Sequence, residues 1–553
     1  MTAFILVSGM FTGTHIWQDT VARLTAAGAE VHTVALTGLD GPRAVGDGAV
    51  DLETHIADVL AVVDSVLDPA GGAEDGDRRI VLVGHDYGIH PAVGAADRRA
   101  ERIERIVYLD SGLPRDGVPA LAAVPDQSLR DSVAGTAGSS GADEDRGVLP
   151  PPALGEWSRW GSTAGVPDAA LDRLTALAAP QPLGTLLQPL RLTGAVGPVP
   201  TTGVLCTGNG SSIELVQMLV RLGDPALRPL TDPRVTFFEL PTGHWPMLSC
   251  PAELTDVLLR AAAGEGHRLE PVDDAAGPGH LQPFLMDVPD VPRERHGNVD
   301  LYLPDAEEPR PAVVFVHGGP VPADARPTPR DWPGLTGYAR CVAGDGAVGV
   351  LLDHRLHDLG DYERAAADVA AAVELARADA RVDQDRIALW FFSGGGLISA
   401  DWLDAPPAWL RCLAATYPVL APLPNWGLSE TRLRPARAVA NAGDLPVVLT
   451  RVGLEMPELA ATVEEFLAAA KDGGADVEVI DVPNGHHGFE TIDVTDESRA
   501  AVRHAIRTVL GHAFGPGTGP GTGGPLQRDG GRHTVTAGGA PPIRPPPGTG
   551  LPS

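Results

Sequence analysis

Two apolar runs in this sequence end in the same kind of turn. Ile80–Val83 runs into Gly84-His85-Asp86-Tyr87-Gly88, and Ile387–Trp390 runs into Phe391-Phe392-Ser393-Gly394-Gly395-Gly396. A short apolar run bounded by small residues reads as a buried strand, and glycines at its end read as a sharp turn. A strand that turns at once into a helix lifts the apex residue clear of the sheet. Each turn therefore presents one short polar side chain, Asp86 in the first half and Ser393 in the second.

The same order of elements surrounds each turn. In the first half the strands are expected at Phe4–Val7, Glu30–Ala35, Ile80–Val83, Ile106–Leu109, Val204–Cys206 and Val235–Leu240, with helical spacing over Trp17–Ala27 and Leu52–Val66. In the second half strands are expected at Leu301–Leu303, Ala312–Val316, Gly349–Leu352, Ile387–Trp390, Leu413–Ala415, Val447–Thr450 and Val477–Val482, with a helix over Ala365–Arg377. Each half closes on a Gly-His turn followed by an amphipathic helix. Strands that alternate with helices imply parallel βαβ units.

The chain has 553 residues, which suits two large α/β units better than one. The predicted division is 1–264, a linker over 265–290 rich in Gly, Pro and Asp, a second unit over 291–512, and a tail over 513–553. Gly and Pro make up more than half of the segment from Phe514 to Ser553, so it is expected to be disordered, and Pro542–Pro547 has the composition of a polyproline II ligand.

Composition removes several classes of function. The net charge of −30 argues against nucleic acid and against an anionic membrane surface. No stretch reaches the length and apolarity of a membrane span, and no basic region precedes the first apolar run, so a cytoplasmic protein is expected. The four cysteines are scattered without CxxC spacing, there is no HExxH or His-x-His pair, and the glycine-rich turns lack the phosphate-binding patterns. No metal and no cofactor is expected. His15, His32, His55 and His90 read as residues of helix or strand faces. A small-molecule substrate is the expected partner; oligomeric state is not legible.

In the second half, His317-Gly318-Gly319-Pro320 follows one strand, Gly453-Leu454-Glu455 another, and Asn484-Gly485-His486-His487-Gly488-Phe489 the last. The order Ser, Glu, His, with a glycine turn able to aim backbone N–H groups at a developing oxyanion, is the order for acyl transfer on a parallel sheet. These motifs resemble the α/β-hydrolase family, in its carboxylesterase and dienelactone-hydrolase-like branch, over essentially all of 291–511. The resemblance implies Ser393 as nucleophile, His487 rather than His486 as base because it directly precedes Gly-Phe, and Glu455 as the orienting acid, with Glu458 a turn away. Gly318, Gly319 and Gly394 would supply the oxyanion donors. Asp353 and Asp368 read as structural. Phe391 departs from the usual glycine two positions before the nucleophile.

In the first half, Gly-His-x-Tyr-Gly at 84–88, Val107-Tyr108-Leu109-Asp110 and Gly243-His244-Trp245-Pro246-Met247 resemble the compact α/β-hydrolases related to plant hydroxynitrile lyases and small esterases. Residues of about 114–200 would then be an insertion over the site, with Trp157 and Trp160 lining or packing it. That family carries serine where this chain has Asp86, and an acid near the neutral Asn209. Three readings stay open. Asp86 is a nucleophile, as in haloalkane dehalogenases and epoxide hydrolases, with Asp110 orienting His244 and the N–H groups of Met10 and Tyr87 as oxyanion donors. Or this half has lost its chemistry. Or Asp86 and His244 form an acid–base pair for a non-hydrolytic step. Against the first, Tyr87 and Met10 stand where dehalogenases carry Trp and Asn, and residues 114–200 hold no tyrosine for an epoxide.

Overall fold

The computed structural model describes residues 2–515 except 41–49, 68–77, 125–126, 137–146, 222–226, 272–276, 424–425, 427 and 429–431. The strands of the first half are β1 (Thr2–Val7), β2 (Glu30–Val34), β3 (Arg79–His85), β4 (Ile103–Leu109), the two-residue β5 (Val148–Leu149) and β6 (Gln181–Pro182), β7 (Thr201–Cys206) and β8 (Val235–Leu240). Six of them form one parallel sheet in the order β2-β1-β3-β4-β7-β8; β5 and β6 pair antiparallel within the segment 114–200.

The strands of the second half are β9 (Arg293–His296), β10 (Val299–Tyr302), β11 (Arg310–Val316), β12 (Val348–Leu352), β13 (Val382–Phe392), β14 (Leu410–Thr416), β15 (Val447–Leu454) and β16 (Val477–His486). They form an eight-stranded sheet in the order β16-β15-β14-β13-β11-β12-β10-β9. It is parallel from β12 to β16, while β10 runs antiparallel to both β12 and β9. β10 carries the run expected at Leu301–Leu303, but its partner β9, and so the hairpin, was not expected from the sequence. Its alternation Arg293-Glu294-Arg295 has no apolar face. A tertiary contact holds it: the buried Asp300 carboxylate accepts from Arg293, Arg295 and Arg330.

The apolar run of β13 shows why it reads as a strand covered on both faces. Ile387, Leu389 and Phe391 point into one core with the helix Tyr362–Ala378. Ala388, Trp390 and Phe392 point into another with the helices Pro333–Gly344 and Asp496–Phe514. Successive side chains of a strand face opposite sides, so a strand between two helical layers is apolar throughout.

Strand order also positions the sites. β2 and β3 lie on opposite sides of β1, and β12 and β13 on opposite sides of β11. Connections that leave neighbouring strands in opposite directions open a crevice at their carboxyl ends. The turns after β1 and β3 border one crevice, and those after β11 and β13 border the other.

Two expected boundaries meet tertiary structure. Within 265–290, His267 bridges to Phe237 beside β8, Leu285 is buried, and the Phe284 ring lies 5.3 Å from that of Tyr338. The last helix runs to Phe514, so Ala513 and Phe514, expected in the tail, are helical and buried. The tail from Pro516 on, Pro542–Pro547 included, lies outside the described residues. Among the described residues, no helix is long and apolar enough to cross a membrane.

Candidate active sites

The second half brings its three predicted residues into one chain of contacts. Ser393 sits at the apex after β13 with φ of 50°. A left-handed backbone at a non-glycine residue is uncommon and strained, and clusters at functional sites. The three glycines after it are dictated by close approach. A Cβ on Gly394 would stand 2.4 Å from the Gly319 carbonyl oxygen, one on Gly395 2.4 Å from that of His317, and one on Gly396 2.6 Å from that of Val419.

His487 Nε2 lies 2.7 Å from Ser393 Oγ, and its Nδ1 lies 2.7 Å from Glu455 Oε2. With Nδ1–H donating to the carboxylate, Nε2 is left as the acceptor for the serine hydroxyl. Glu455 Oε1 accepts from the Met456 N–H at 2.9 Å. His487 and Glu455 are buried, so the pair is shielded from water. His486 is exposed and bonds Asp493 instead. Glu458 begins the helix Pro457–Gly473 with its Oε2 buried and unpartnered. Asp353 and Asp368 pair with Arg330 and Arg355, as their structural reading predicts.

The His317–Pro320 turn lies against the serine. A Cβ on Gly318 would stand 2.8 Å from Ser393 Cβ. Gly319 borders Leu356, and the Gly394 carbonyl accepts from the Tyr362 hydroxyl at 3.0 Å. The His317 ring stacks on His354 with centroids 3.6 Å apart. Burial lowers both, His317 well below the usual imidazole range and His354 to about 4, so both are neutral.

Three residues beside this site escaped the sequence reading: His354, Tyr417 and Glu490. Tyr417 follows β14 with φ of 35°, and its ring centroid lies 4.6 Å from that of His487. Its hydroxyl bonds the buried Glu490, whose pKa is raised by burial. Only the position of Glu490 directly after Gly488-Phe489 could have flagged it.

In the first half Asp86 holds the matching apex after β3, with φ of 49°. The Met10 N–H donates to its Oδ2 at 3.1 Å. His244 Nδ1 lies 2.7 Å from Asp110 Oδ2. The Asp110 carboxylate also accepts from the Cys206 N–H at 3.0 Å and from Asn209 Nδ2 at 2.7 Å. Asn209 Oδ1 in turn accepts from the Ser162 N–H at 2.7 Å. Burial opposes charge on His244, but its hydrogen bond to Asp110 and the charges of Asp110 and Asp86 outweigh that and raise its pKa. His85 donates from Nε2 to the His244 carbonyl at 2.8 Å; burial, with His244 beside it, lowers His85 to about 4. The Tyr87 hydroxyl is turned away and bonds His55 at 2.8 Å.

Residues 157–164 of the segment 114–200 lie against this corner. A Cβ on Gly161 would stand 2.5 Å from His244 Cβ. Trp160 packs edge-on to Phe11 at 4.8 Å, while the buried Trp157 donates to Thr175 Oγ1 at 2.8 Å. His32 bonds Glu30, and His90 stacks on Tyr87, as face residues do. Among the described residues, no cluster of His, Cys, Asp or Glu has the makings of a metal site.

A family model described as the alpha/beta hydrolase family matches residues 4–257. The chain is similar to a carbendazim hydrolyzing esterase of Nocardioides sp. (strain SG-4G), 32% identical over 264 residues, which are 47% of this chain and 98% of that protein. Among solved structures, a thermostable esterase from Pseudomonas putida is 18% identical over 42% of this chain and 86% of its own, with a TM-score of 0.35. A methylesterase from Arabidopsis is 19% identical over 48% of this chain and 99% of its own, also with a TM-score of 0.35. With nearly the full length of the Nocardioides esterase matched at this identity, the chain belongs to the alpha/beta hydrolase family.

Proposed function

We propose that the chain is a hydrolase of ester or related acyl bonds in a small molecule, with Ser393, His487 and Glu455 as its catalytic triad, and that residues 1–264 and 291–512 are two units of the same fold. The observation that carries the reading is the unbroken chain from serine to imidazole to carboxylate, at 2.7 Å in each step. Ser393 Oγ attacks the carbonyl carbon as His487 Nε2 takes its proton. The same proton goes to the leaving alcohol when the tetrahedral intermediate collapses. Water then repeats the sequence on the acyl-enzyme and frees the acid. Backbone N–H groups of the Gly318–Gly319 turn and of Gly394 meet the oxyanion, each donor being worth about 2.7–4 kcal/mol in related chemistry. The esterase relative supports an ester substrate class.

The test is hydrolysis of p-nitrophenyl acetate and butyrate by the full chain, with Ser393→Ala and Asp86→Ala in parallel. Loss of turnover with Ser393→Ala alone supports the reading. Unchanged turnover in both variants removes it, because the activity then lies elsewhere, and no turnover by the parent chain favours a non-catalytic binding protein.

A further inference from the structure

We propose that Glu490 is a positioning residue of the Ser393 centre: through the Tyr417 hydroxyl it holds the Tyr417 ring against the His487 imidazole and keeps Nε2 aimed at the serine. This rests on the triad reading and adds to it the pair that steadies the base.

The hydrogen bonds of the triad leave one freedom open. Glu455 anchors His487 at Nδ1, 2.7 Å away. A hydrogen bond at one ring nitrogen fixes that atom, and the ring can still turn about it. The bond at Nε2 does not remove this freedom through the reaction, because the Ser393 hydroxyl gives up its proton. What remains is contact with the ring itself. The Tyr417 ring supplies it, with centroids 4.6 Å apart and planes inclined at 53°.

Tyr417 is held at every point. Its backbone is left-handed, with φ of 35°, and its N–H donates to the Thr450 carbonyl at 2.9 Å. Strained backbone at a non-glycine residue persists where the surroundings over-determine it. The Phe392 and Phe489 rings meet the tyrosine ring edge-on, each at 6.1 Å. The hydroxyl, at the far end of the ring, donates to Glu490 Oε1. Among the described residues the hydroxyl has no other hydrogen bond.

The Glu490 carboxyl is built to do this without charge. It is buried, and among the described residues its Oε2 has no hydrogen-bond partner. An ionised carboxylate so placed would need partners at both oxygens. The titratable groups that face it are Tyr417 after β14, Tyr338 from the helix Pro333–Gly344, and His487 and Asp493 from its own turn. No arginine or lysine is among them, and Asp493 is taken by His486. Burial raises the pKa of the carboxyl. A negative charge here would stabilise the protonated imidazole and blunt it as a base. A neutral carboxyl accepts from Tyr417 and adds no such charge. For packing alone, an apolar side chain would fill this place at lower cost.

The experiment uses the full chain and p-nitrophenyl butyrate. Tyr417→Phe, Glu490→Leu, the two together and Glu490→Gln are compared with the parent and with Ser393→Ala. Misplacing a catalytic group by about 1 Å costs up to about 10²-fold, so Tyr417→Phe and Glu490→Leu are each expected to lower kcat by roughly 10-fold with KM unchanged. The double variant should lose no more than either single one, since both remove the same hydrogen bond. Glu490→Gln keeps an acceptor and removes no charge. It should recover most of what Glu490→Leu loses and leave the pH midpoint of kcat/KM at the parental value. Losses that multiply in the double variant, parental kcat in both single variants, or a Glu490→Gln as slow as Glu490→Leu would overturn the proposal. A midpoint lowered by Glu490→Gln would overturn it too, since Glu490 would then carry charge beside the base. Should Glu490→Leu fail to fold by circular dichroism, the other two single variants decide. A slow Tyr417→Phe beside a near-parental Glu490→Gln upholds the proposal, and any other pattern overturns it. Ser393→Ala separates the two readings. If it keeps parental turnover, the triad reading itself fails; if it loses turnover while the Tyr417 and Glu490 variants keep theirs, only this proposal fails.

Discussion

Asp110 and Tyr417 occupy the same station in their two sheets. Each is the first residue beyond the strand next to the apex-bearing strand, where Leu109 pairs with His85 and Thr416 with Phe392, and each has a left-handed backbone, φ of 47° and 35°. Asp110 reaches the histidine of its half as an acid; Tyr417 only packs against its own. One strand further along the reverse holds: β7 is followed by the neutral Asn209 and β15 by Glu455. The two halves therefore orient their histidines from different strands.

Glu455→Gln is expected to lower kcat for p-nitrophenyl butyrate by roughly 10³–10⁴-fold with little change in KM, since it disturbs the tautomer and orientation of His487 and not substrate binding. Glu458→Gln is expected to leave kcat within a few-fold. Steady-state kinetics of the two variants separates the neighbours.

Gly318→Ala places a methyl group 2.8 Å from Ser393 Cβ and 3.3 Å from the Phe392 carbonyl oxygen, so the apex itself must shift. Gly319→Ala meets Leu356 Cδ2 at 3.1 Å, the end of a side chain that can shift. The first substitution is expected to abolish ester turnover and the second to reduce it modestly, with both proteins folded by circular dichroism.

Acid should destabilise the fold before most carboxylates titrate. Burial lowers His85, His90 and His354 to about 4, so these rings stay neutral in the native state while the unfolded chain protonates them near 6.5. The unfolded state binds more protons in that window. Stability is full above about 6.5 and falls, by on the order of a few kcal/mol, as pH drops toward 4. His244, raised, opposes this with stability that is present below 6.5 and lost as pH rises through its native value, but it is one ring against six that are lowered, His15, His55 and His317 among them. Tm measured from pH 7.5 to 4.5 should fall steadily.

Glu490 behaves in the opposite sense. Burial raises its pKa, so the native state holds a proton that the unfolded chain releases above about 4.5. Its contribution declines as pH rises through the native value. Glu490→Gln is neutral at every pH and keeps an acceptor for the Tyr417 hydroxyl. Its Tm relative to the parent chain should improve between pH 5 and pH 8; a constant difference would show that Glu490 does not take up a proton on folding.

The sequence alone placed the strands of the two main sheets other than β9, the two apex residues, and a histidine after the last strand of each half. Apolar runs between glycine turns are local, and His487 and His244 stand where a Gly-His turn follows the last strand, which chain order reports directly. Phe391 is instructive: two positions before Ser393 it departs from the usual glycine, and its side chain is buried in the core beneath the sheet. Only tertiary structure could show that Glu455 and not Glu458 meets His487, or that Asn209 bonds Asp110. Those choices depend on which carboxylate comes within about 3 Å of a ring from a distant strand, and spacing along a chain does not encode that distance. The β9–β10 hairpin was hidden for the same reason, since what fixes its charged strand is the buried Asp300 and not a pattern of its own.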